Sequence, residues 1–122
     1  MNRQTKTRAR AEQRGHRGET LACWYLRLKG WRILARRCRV HGGEVDVVAR
    51  RGRTIAFVEV KWRQRAADLD HAIDEPRLRR VVAAARLLGP RFAKVGDSQQ
   101  IDVILLAPGH WPRHMANVWI AR

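Results

Sequence analysis

The chain has 122 residues, of which 45% are hydrophobic and 30% are charged. A chain of this length folds as one domain that buries roughly two-thirds of the surface exposed when it is unfolded, so it needs no disulfide or metal for stability. No segment approaches the run of about 18 apolar residues that a membrane span requires, and the basic first residues lead into no apolar core of a secretory signal. We therefore expect a cytoplasmic protein without a membrane partner.

Charge is the most informative part of the composition. Lysine and arginine number 26 against 11 aspartate and glutamate, which leaves a formal net charge of +15. Such a surface attracts polyanions, and nucleic acid is the commonest of these, because each neutralised phosphate releases condensed counterions. An arginine-rich proteome would produce the same surplus, so the charge indicates a class of partner but no chemistry.

The first half of the chain predicts a helix followed by three strands. Residues 1–17 are basic and lack an apolar period, which predicts a flexible arm before a single domain at 18–122. Apolar residues at helical spacing predict a first helix over 18–29. Strand patterns follow at 31–40, 44–50 and 54–61, and glycine-containing turns separate them.

The second half predicts a helix and two more strands. Residues 62–72 lack a period and predict a loop, after which Asp74 is expected to cap a second helix that ends at Gly89 and Pro90. Continuous apolar residues predict a buried strand over 101–106, and an edge strand is expected over 115–121. The predicted order α-β-β-β-α-β-β is an α/β (α+β) fold, with a mixed sheet of about five strands flanked by two helices.

The predicted fold brings together four side chains that could take part in catalysis. Glu59 and Lys61 are two residues apart and so point to the same face of the third strand, and Asp46 lies within cross-strand reach on its neighbour. Glu19 begins the apolar stripe of the first helix, which should pack on the sheet.

Converging carboxylates repel one another, so such a site favours protons or a cation. An all-oxygen set of ligands selects Mg²⁺ or Mn²⁺. The sequence lacks the clustered histidines or cysteines that would indicate a zinc site. On a surface that binds polyanions, the natural use of such a site is phosphodiester hydrolysis, in which the Lys61 ammonium would orient water or stabilise developing negative charge.

Three segments, RGETLACWYLRLKGWRIL, GGEVDVVAR and FVEVKWR, together resemble the small bacterial YraN-like proteins. That family is placed in the PD-(D/E)XK nuclease superfamily near archaeal Holliday-junction resolvases, and the resemblance extends from about Gly15 to Val118. It implies a restriction-endonuclease-like fold, with Asp46 as the acid of the first motif and Glu59 with Lys61 as the ExK pair. It further implies roles for Glu19 as the helix acid and for the Val60 carbonyl as a metal ligand. Other family-typical positions are Gly18, Gly43, Glu44, Arg63 and Asp102.

Two positions depart from the family pattern and bear on substrate contacts. Arg77 stands near the start of the second helix where relatives often carry lysine, and Trp62 stands where a smaller polar residue is common. We expect Trp62, Arg63, Arg77 and Arg80 to contact nucleic acid, although a solvated helix face also explains the helix arginines. Trp24, Trp31 and Trp119 are expected in the core, and His110 and His114 in a loop.

Each site residue also has an alternative interpretation. Asp46, Glu59 and Lys61 would suit a cross-strand salt-bridge cluster, and an acid at position 19 is favoured by the helix dipole alone. Our hypothesis is a Mg²⁺- or Mn²⁺-dependent endonuclease that acts on DNA, including branched or partly single-stranded DNA. The alternatives are a non-catalytic nucleic-acid-binding module and a structural basic protein. The sequence leaves open whether the protein forms a homodimer.

Overall fold

The computed structural model describes residues 17–65 and 75–118, in which one sheet carries a helix on each face. In chain order the elements are α1 (17–28), β1 (Arg32–Val40), β2 (Gly43–Arg51), β3 (Thr54–Trp62), α2 (Glu75–Phe92), β4 (Ser98–Leu106) and β5 (Arg113–Met115). The strands lie in the order β1-β2-β3-β4-β5; β3 and β4 run parallel, and the other neighbours run antiparallel. The predicted α/β architecture is therefore confirmed.

Two apolar clusters hold the layers together. On one face, α2 packs against a cluster that includes Phe57 of β3 and Val103 of β4. On the other face, Leu26 of α1 packs with Val58 and Ile104, the next residues along the same strands. Because β3 and β4 are covered on both faces, their sequences are continuous apolar runs rather than alternating ones.

The predicted end of α2 is wrong, because the helix continues through Gly89 and Pro90 to Phe92. A proline in the last turn removes one backbone donor only, and the helix is still closed beyond it by Ala93 N donating to the Gly89 carbonyl at 2.8 Å. Gly89 lies so close to the Gln99 side chain that a Cβ would collide with it. Gly89 is therefore an interior residue of α2 that faces Gln99 of β4 and does not terminate the helix.

The predicted last strand is also displaced. The structure has β5 at Arg113–Met115, and residues 116–118 are not in a strand. Asn117 adopts a left-handed conformation with φ of 53°, and its N–H donates to Asp102 Oδ1 at 2.9 Å. This turn follows β5 and interrupts the predicted strand within residues 116–118.

Several predictions fall partly or wholly outside the described residues. These are the arm before Arg17, most of the 62–72 loop, the Asp74 cap, Trp119 and the end of the predicted last strand. Arg17 itself lies in α1. Trp31 is buried as expected, whereas Trp24 is 60% exposed and does not belong to the core. Neither helix in the described part of the chain is long and apolar enough to cross a bilayer.

Two glycines allow a matched test of this packing. A Cβ on Gly43 would overlap the backbone carbonyl oxygen of Arg80, whereas a Cβ on Gly18 would find ordinary contacts, the nearest at 3.5 Å. We expect Gly43→Ala to lower the free energy of unfolding by about 2 kcal/mol. Gly18→Ala should leave it unchanged or raise it by about 0.5 kcal/mol, since alanine is the better helix former. Urea unfolding of both variants measures this difference, and equal effects would contradict the close approach of β2 to α2.

Candidate acidic site on the sheet

Asp46 and Glu59 lie side by side at the point where the β2–β3 ladder opens. The last backbone-paired residues are Val47 and Val58, and the next position outward on each strand is one of the two acids. Asp46 is 8% exposed and Glu59 is 3% exposed, and both carboxylates line the same pocket. The two acids are therefore brought together as the sequence predicted.

The backbone around Asp46 departs from regular pairing on both sides. Val60 N of β3 donates to Asp46 Oδ2 at 2.8 Å, so a side chain accepts the bond that a strand carbonyl would otherwise take. On the neighbouring strand β1, Arg37 has a φ of 52° between the paired residues Arg36 and Cys38. Left-handed conformations are unfavourable for a residue with a side chain and are commonly retained where surrounding contacts require them.

The pocket in front of the acids combines both signs of charge. It has a volume of about 340 Å³ and lies between the β1–β2 turn and α2. Its acidic lining residues are Asp46, Glu59 and Glu44, the last of which also pairs with Arg39 at 3.5 Å. Its basic lining residues are Arg39, Arg77 and Arg80. A phosphate group could enter this pocket against the arginines, while a cation could enter it against the acids.

Glu59 is the most heavily paired acid of the site. Arg77 of α2 donates from Nε to Glu59 Oε1 at 2.5 Å, and Lys61 Nζ lies 3.4 Å from the same oxygen. The Lys61 side chain is largely buried, and this burial lowers the pKa of its ammonium group, although the nearby Glu59 opposes the shift. Lys61 therefore loses its proton more easily than an exposed lysine does.

Asp46 carries the largest electrostatic cost. Burial, together with the negative charge of Glu59, raises the pKa of Asp46 from 3.8 to about 7, against the opposing effect of the Val60 hydrogen bond. A carboxyl group that titrates near neutrality is typical of functional sites, because the fold holds it where its ionised form is poorly solvated. Binding of a cation at this point would reverse that penalty.

Glu19 reaches this region from α1 but is held by arginines. Its Oε2 accepts from Arg37 Nε at 2.6 Å and lies 3.7 Å from Arg36 Nη2. Glu19 is 8% exposed and does not line the pocket, although its charge contributes to the raised pKa of Asp46. The strained Arg37 is thus the residue that links α1 to the strand beside Asp46.

The remaining predicted residues divide between the two faces of the sheet. Arg77 and Arg80 line the acidic pocket. Trp62 packs against the α1 cluster and lines a separate groove on the face opposite the acids, because consecutive strand residues face opposite sides. Arg63 Nη1 donates to the Trp62 carbonyl at 2.8 Å. Among residues 17–65 and 75–118, no three His, Cys, Asp or Glu side chains are grouped closely enough to hold a metal ion.

One buried polar cluster was missed by the sequence analysis. Asp102 is fully buried and accepts from His114 Nε2 at 2.7 Å as well as from Gln100 and Asn117. Lys29 Nζ in turn lies 2.8 Å from His114 Nδ1. His114 lies in β5, so its prediction as a loop residue is wrong. The available indication was an acid inside the apolar run IDVILL, because a buried carboxylate requires hydrogen-bond partners.

Comparisons with known proteins identify the family to which the chain is similar. Residues 18–106 match the uncharacterised protein family UPF0102. A UPF0102 protein of Sphingopyxis alaskensis is 66% identical over 113 residues, which cover 93% of this chain and 97% of the relative. Another, of Erythrobacter litoralis, is 57% identical over 109 residues, covering 89% and 94%.

A solved structure supports the fold independently. The chain is similar to Hjc, a Holliday junction resolvase from the archaeal hyperthermophile Archaeoglobus fulgidus, with a TM-score of 0.58 and 22% identity. The match covers 84% of this chain and 72% of the resolvase chain. It confirms the restriction-endonuclease-like fold that the three sequence motifs implied, and at this identity it extends to the fold alone.

Proposed function

We propose that this chain, which belongs to the uncharacterised protein family UPF0102, is a divalent-metal-dependent endonuclease that hydrolyses phosphodiester bonds in DNA. The observation that carries the proposal is the buried pair of Asp46 and Glu59, which face one pocket together with three arginines. A merely structural salt bridge would need one acid, whereas this fold buries two next to each other at an electrostatic cost.

The donor set fits Mg²⁺ or Mn²⁺. Mg²⁺ commonly keeps several water ligands and binds through only one or two carboxylates, so the absence of a third grouped acid among the described residues does not oppose it. Asp46 and Glu59 would hold the ion, and the Val60 carbonyl is a further candidate ligand between Glu59 and Lys61. When bound, such an ion would neutralise negative charge on the phosphate and lower the pKa of a water molecule that it binds.

The other residues would act on the substrate directly. Lys61 would orient the attacking water or stabilise negative charge that develops on the scissile phosphate. Arg77 and Arg80 line the pocket, where their guanidinium groups suit the phosphate oxygens of a strand. Glu19 lies outside the pocket, so its role would be to support a second ion or to keep Arg37 in place.

The substrate proposal draws on the fold. The similar archaeal protein is a Holliday junction resolvase, which favours branched DNA as the substrate class for this chain. A homodimer would match the two symmetric strands of such a junction. Branched DNA, homodimer formation and a cytoplasmic location stay predictions.

A cleavage assay tests the proposal. Purified protein is incubated with labelled duplex, single-stranded, flap and four-way DNA and with RNA, in Mg²⁺, Mn²⁺ or EDTA. We expect cleavage of DNA with either metal and none in EDTA, and a loss of at least about a hundredfold in Glu59→Gln and Lys61→Ala. Glu75→Gln is the matched control, because Glu75 is an exposed acid that pairs with Arg79 only on the surface. Activity that all variants share equally would come from a contaminant and would contradict the proposal.

A second candidate function is a non-catalytic nucleic-acid-binding module. It is favoured by one observation, namely that Arg77 and Lys61 already neutralise Glu59 without any added ion. Binding that weakens steeply with salt, with no metal-dependent cleavage of any substrate in the same assay, would assign this second function.

A further inference from the structure

A second surface feature lies on the face of the sheet opposite the acidic pocket. It is a groove of about 300 Å³ between the outer side of α1 and the segment that joins β4 to β5. Its aromatic lining consists of Trp24, Tyr25, Trp62 and Trp111. Four aromatic rings in one groove are unusual for a chain in which only 7% of residues are aromatic.

Two of these rings, Trp24 and Trp111, do not serve the core, whereas Tyr25 and Trp62 pack partly against it. Trp24 is 60% exposed and Trp111 is 85% exposed. Leu21 and Leu28 of α1, which line the same groove, are exposed as well. An exposed apolar surface of this kind marks a contact site for a partner. α1 buries its opposite side against the sheet, so the exposed residues on its outer side are not needed for packing in the described fold.

The charges around the groove indicate what the partner is. The Arg27 guanidinium lies 5.4 Å from the Trp24 ring centre, and Lys29 Nζ lies 5.1 Å from that of Tyr25. Among the described residues that line the groove, none is acidic. A second copy of the chain would bring its own +15 charge against these cations, whereas a polyanion would neutralise them. Rings interleaved with cations favour a single nucleic-acid strand, whose bases stack while its phosphates pair.

The groove lies near the same end of β3 as the candidate active site, on the opposite face of the sheet. Trp62 and Lys61 are neighbours at the carboxyl end of β3 and face opposite sides of the sheet. A strand that leaves the acidic pocket around this end of β3 would meet the Trp62 ring first. The two surfaces could therefore contact the same nucleic acid.

We propose that this aromatic groove binds unpaired bases of a nucleic-acid strand by stacking on Trp24 and Trp111. The claim that the bound strand is the substrate rests on the proposed nuclease function, while the binding itself does not. The groove would thus select DNA that contains a single-stranded or unpaired segment near the cleavage point.

Binding in EDTA, where no cleavage occurs, tests the groove separately. Labelled oligothymidylate and a duplex of equal length are titrated with wild type, Trp24→Ala/Trp111→Ala and Trp24→Phe/Trp111→Phe. We expect the alanine variant to bind the single strand about tenfold more weakly and the duplex within about twofold of wild type. The phenylalanine variant keeps a ring at each position and should retain most of the affinity. Leu87→Ala removes an exposed side chain of α2 and serves as the control.

Salt dependence separates stacking from charge. The slope of log affinity against log salt should be the same for wild type and the alanine variant, because neither tryptophan contacts a phosphate. Arg27→Gln should reduce that slope by about 0.7 for the single strand, the value of one lost phosphate contact.

The following outcomes would contradict the proposal that the groove binds bases, or would separate it from the proposed nuclease function. Equal weakening of duplex and single strand, or no weakening at all, would contradict stacking. Sedimentation that finds a wild-type dimer and a monomeric alanine variant with unchanged DNA binding would assign the groove to contact between copies. Selective binding of the single strand without metal-dependent cleavage would contradict the proposed nuclease function but not base binding in the groove. Metal-dependent cleavage without selective binding of the single strand would contradict base binding in the groove alone.

Discussion

Asp46→Asn should stabilise the protein at pH 8 and at the same time remove its metal-dependent cleavage. The asparagine Oδ1 can still accept the hydrogen bond from Val60 N, so the substitution removes charge and little else. At pH 8 the wild-type carboxylate is ionised while buried beside Glu59, and this penalty disappears in the variant. Without that charge, however, the site loses half of its acid pair.

The pH profile gives the sign of the effect. The pKa of Asp46 is about 7 in the folded protein and 3.8 in an unfolded chain. Between these values the folded state binds more protons than the unfolded state, so the free energy of unfolding falls as the pH rises from about 4 to about 7. The upper limit of this loss is on the order of 4 kcal/mol. Asp46→Asn should therefore show a flatter profile, with its largest gain over wild type above pH 7.

Urea unfolding at pH 5 and pH 8 in EDTA measures this difference. Asp97→Asn is the control, because hydrogen bonds from the Arg50 side chain and from Lys94 N lower the pKa of Asp97 and reverse the expected trend. Added Mn²⁺ should raise the melting temperature of wild type and leave that of Asp46→Asn unchanged. If the variant is less stable than wild type at pH 8, Asp46 is not the strained acid that its surroundings imply.

Arg77→Gln should destabilise the protein in EDTA, and a divalent metal should restore most of the loss. Arg77 is the nearest cation to the buried Glu59, and its removal leaves only Lys61 to compensate that charge. We expect the free energy of unfolding to fall by about 2 kcal/mol, less than for a fully buried pair because the Arg77 side chain is half exposed. A metal ion held by Asp46 and Glu59 would supply the missing positive charge.

Thermal unfolding with and without Mn²⁺ checks this prediction. Arg79→Gln on the same helix is the matched control, because Arg79 pairs with Glu75 on the exposed surface and should contribute less than about 0.5 kcal/mol. The metal-induced rise in melting temperature should be larger in Arg77→Gln than in wild type or the control. A rise of equal size in all three proteins would show that Arg77 and the metal do not compete for the same charge.

The sequence predicted the fold and the acid pair because both depend on local patterns. The β2–β3 hairpin has a short glycine-containing turn, which fixes its register and so sets Asp46 opposite Glu59. Two-residue alternation then brings Lys61 to the face of Glu59, where the structure finds it 3.4 Å away. These features need no knowledge of how the helices pack.

The features that the sequence did not reveal depend on long-range packing. The direction in which Arg77 points depends on where α2 lies over the sheet, and Arg37 reaches Glu19 through a left-handed backbone that no residue pattern indicates. Trp24 was expected in the core because tryptophan usually lies there, yet α1 turns it outward. The His114–Asp102 contact joins β4 to a strand that the sequence placed too late in the chain.

The arginines of β1 lie at an edge of the sheet, where their charge bears on self-association. As an outermost strand of the sheet, β1 presents unpaired backbone groups that could serve as a template for another chain, which is a common route to aggregation. Four of its nine residues are arginines, namely Arg32, Arg36, Arg37 and Arg39. A second molecule that approached this edge would meet its own repulsive charge before any backbone bond could form. The four arginines outnumber Glu19 and Glu44, the two acids that pair with three of them, so the remaining positive charge opposes edge-to-edge pairing at β1.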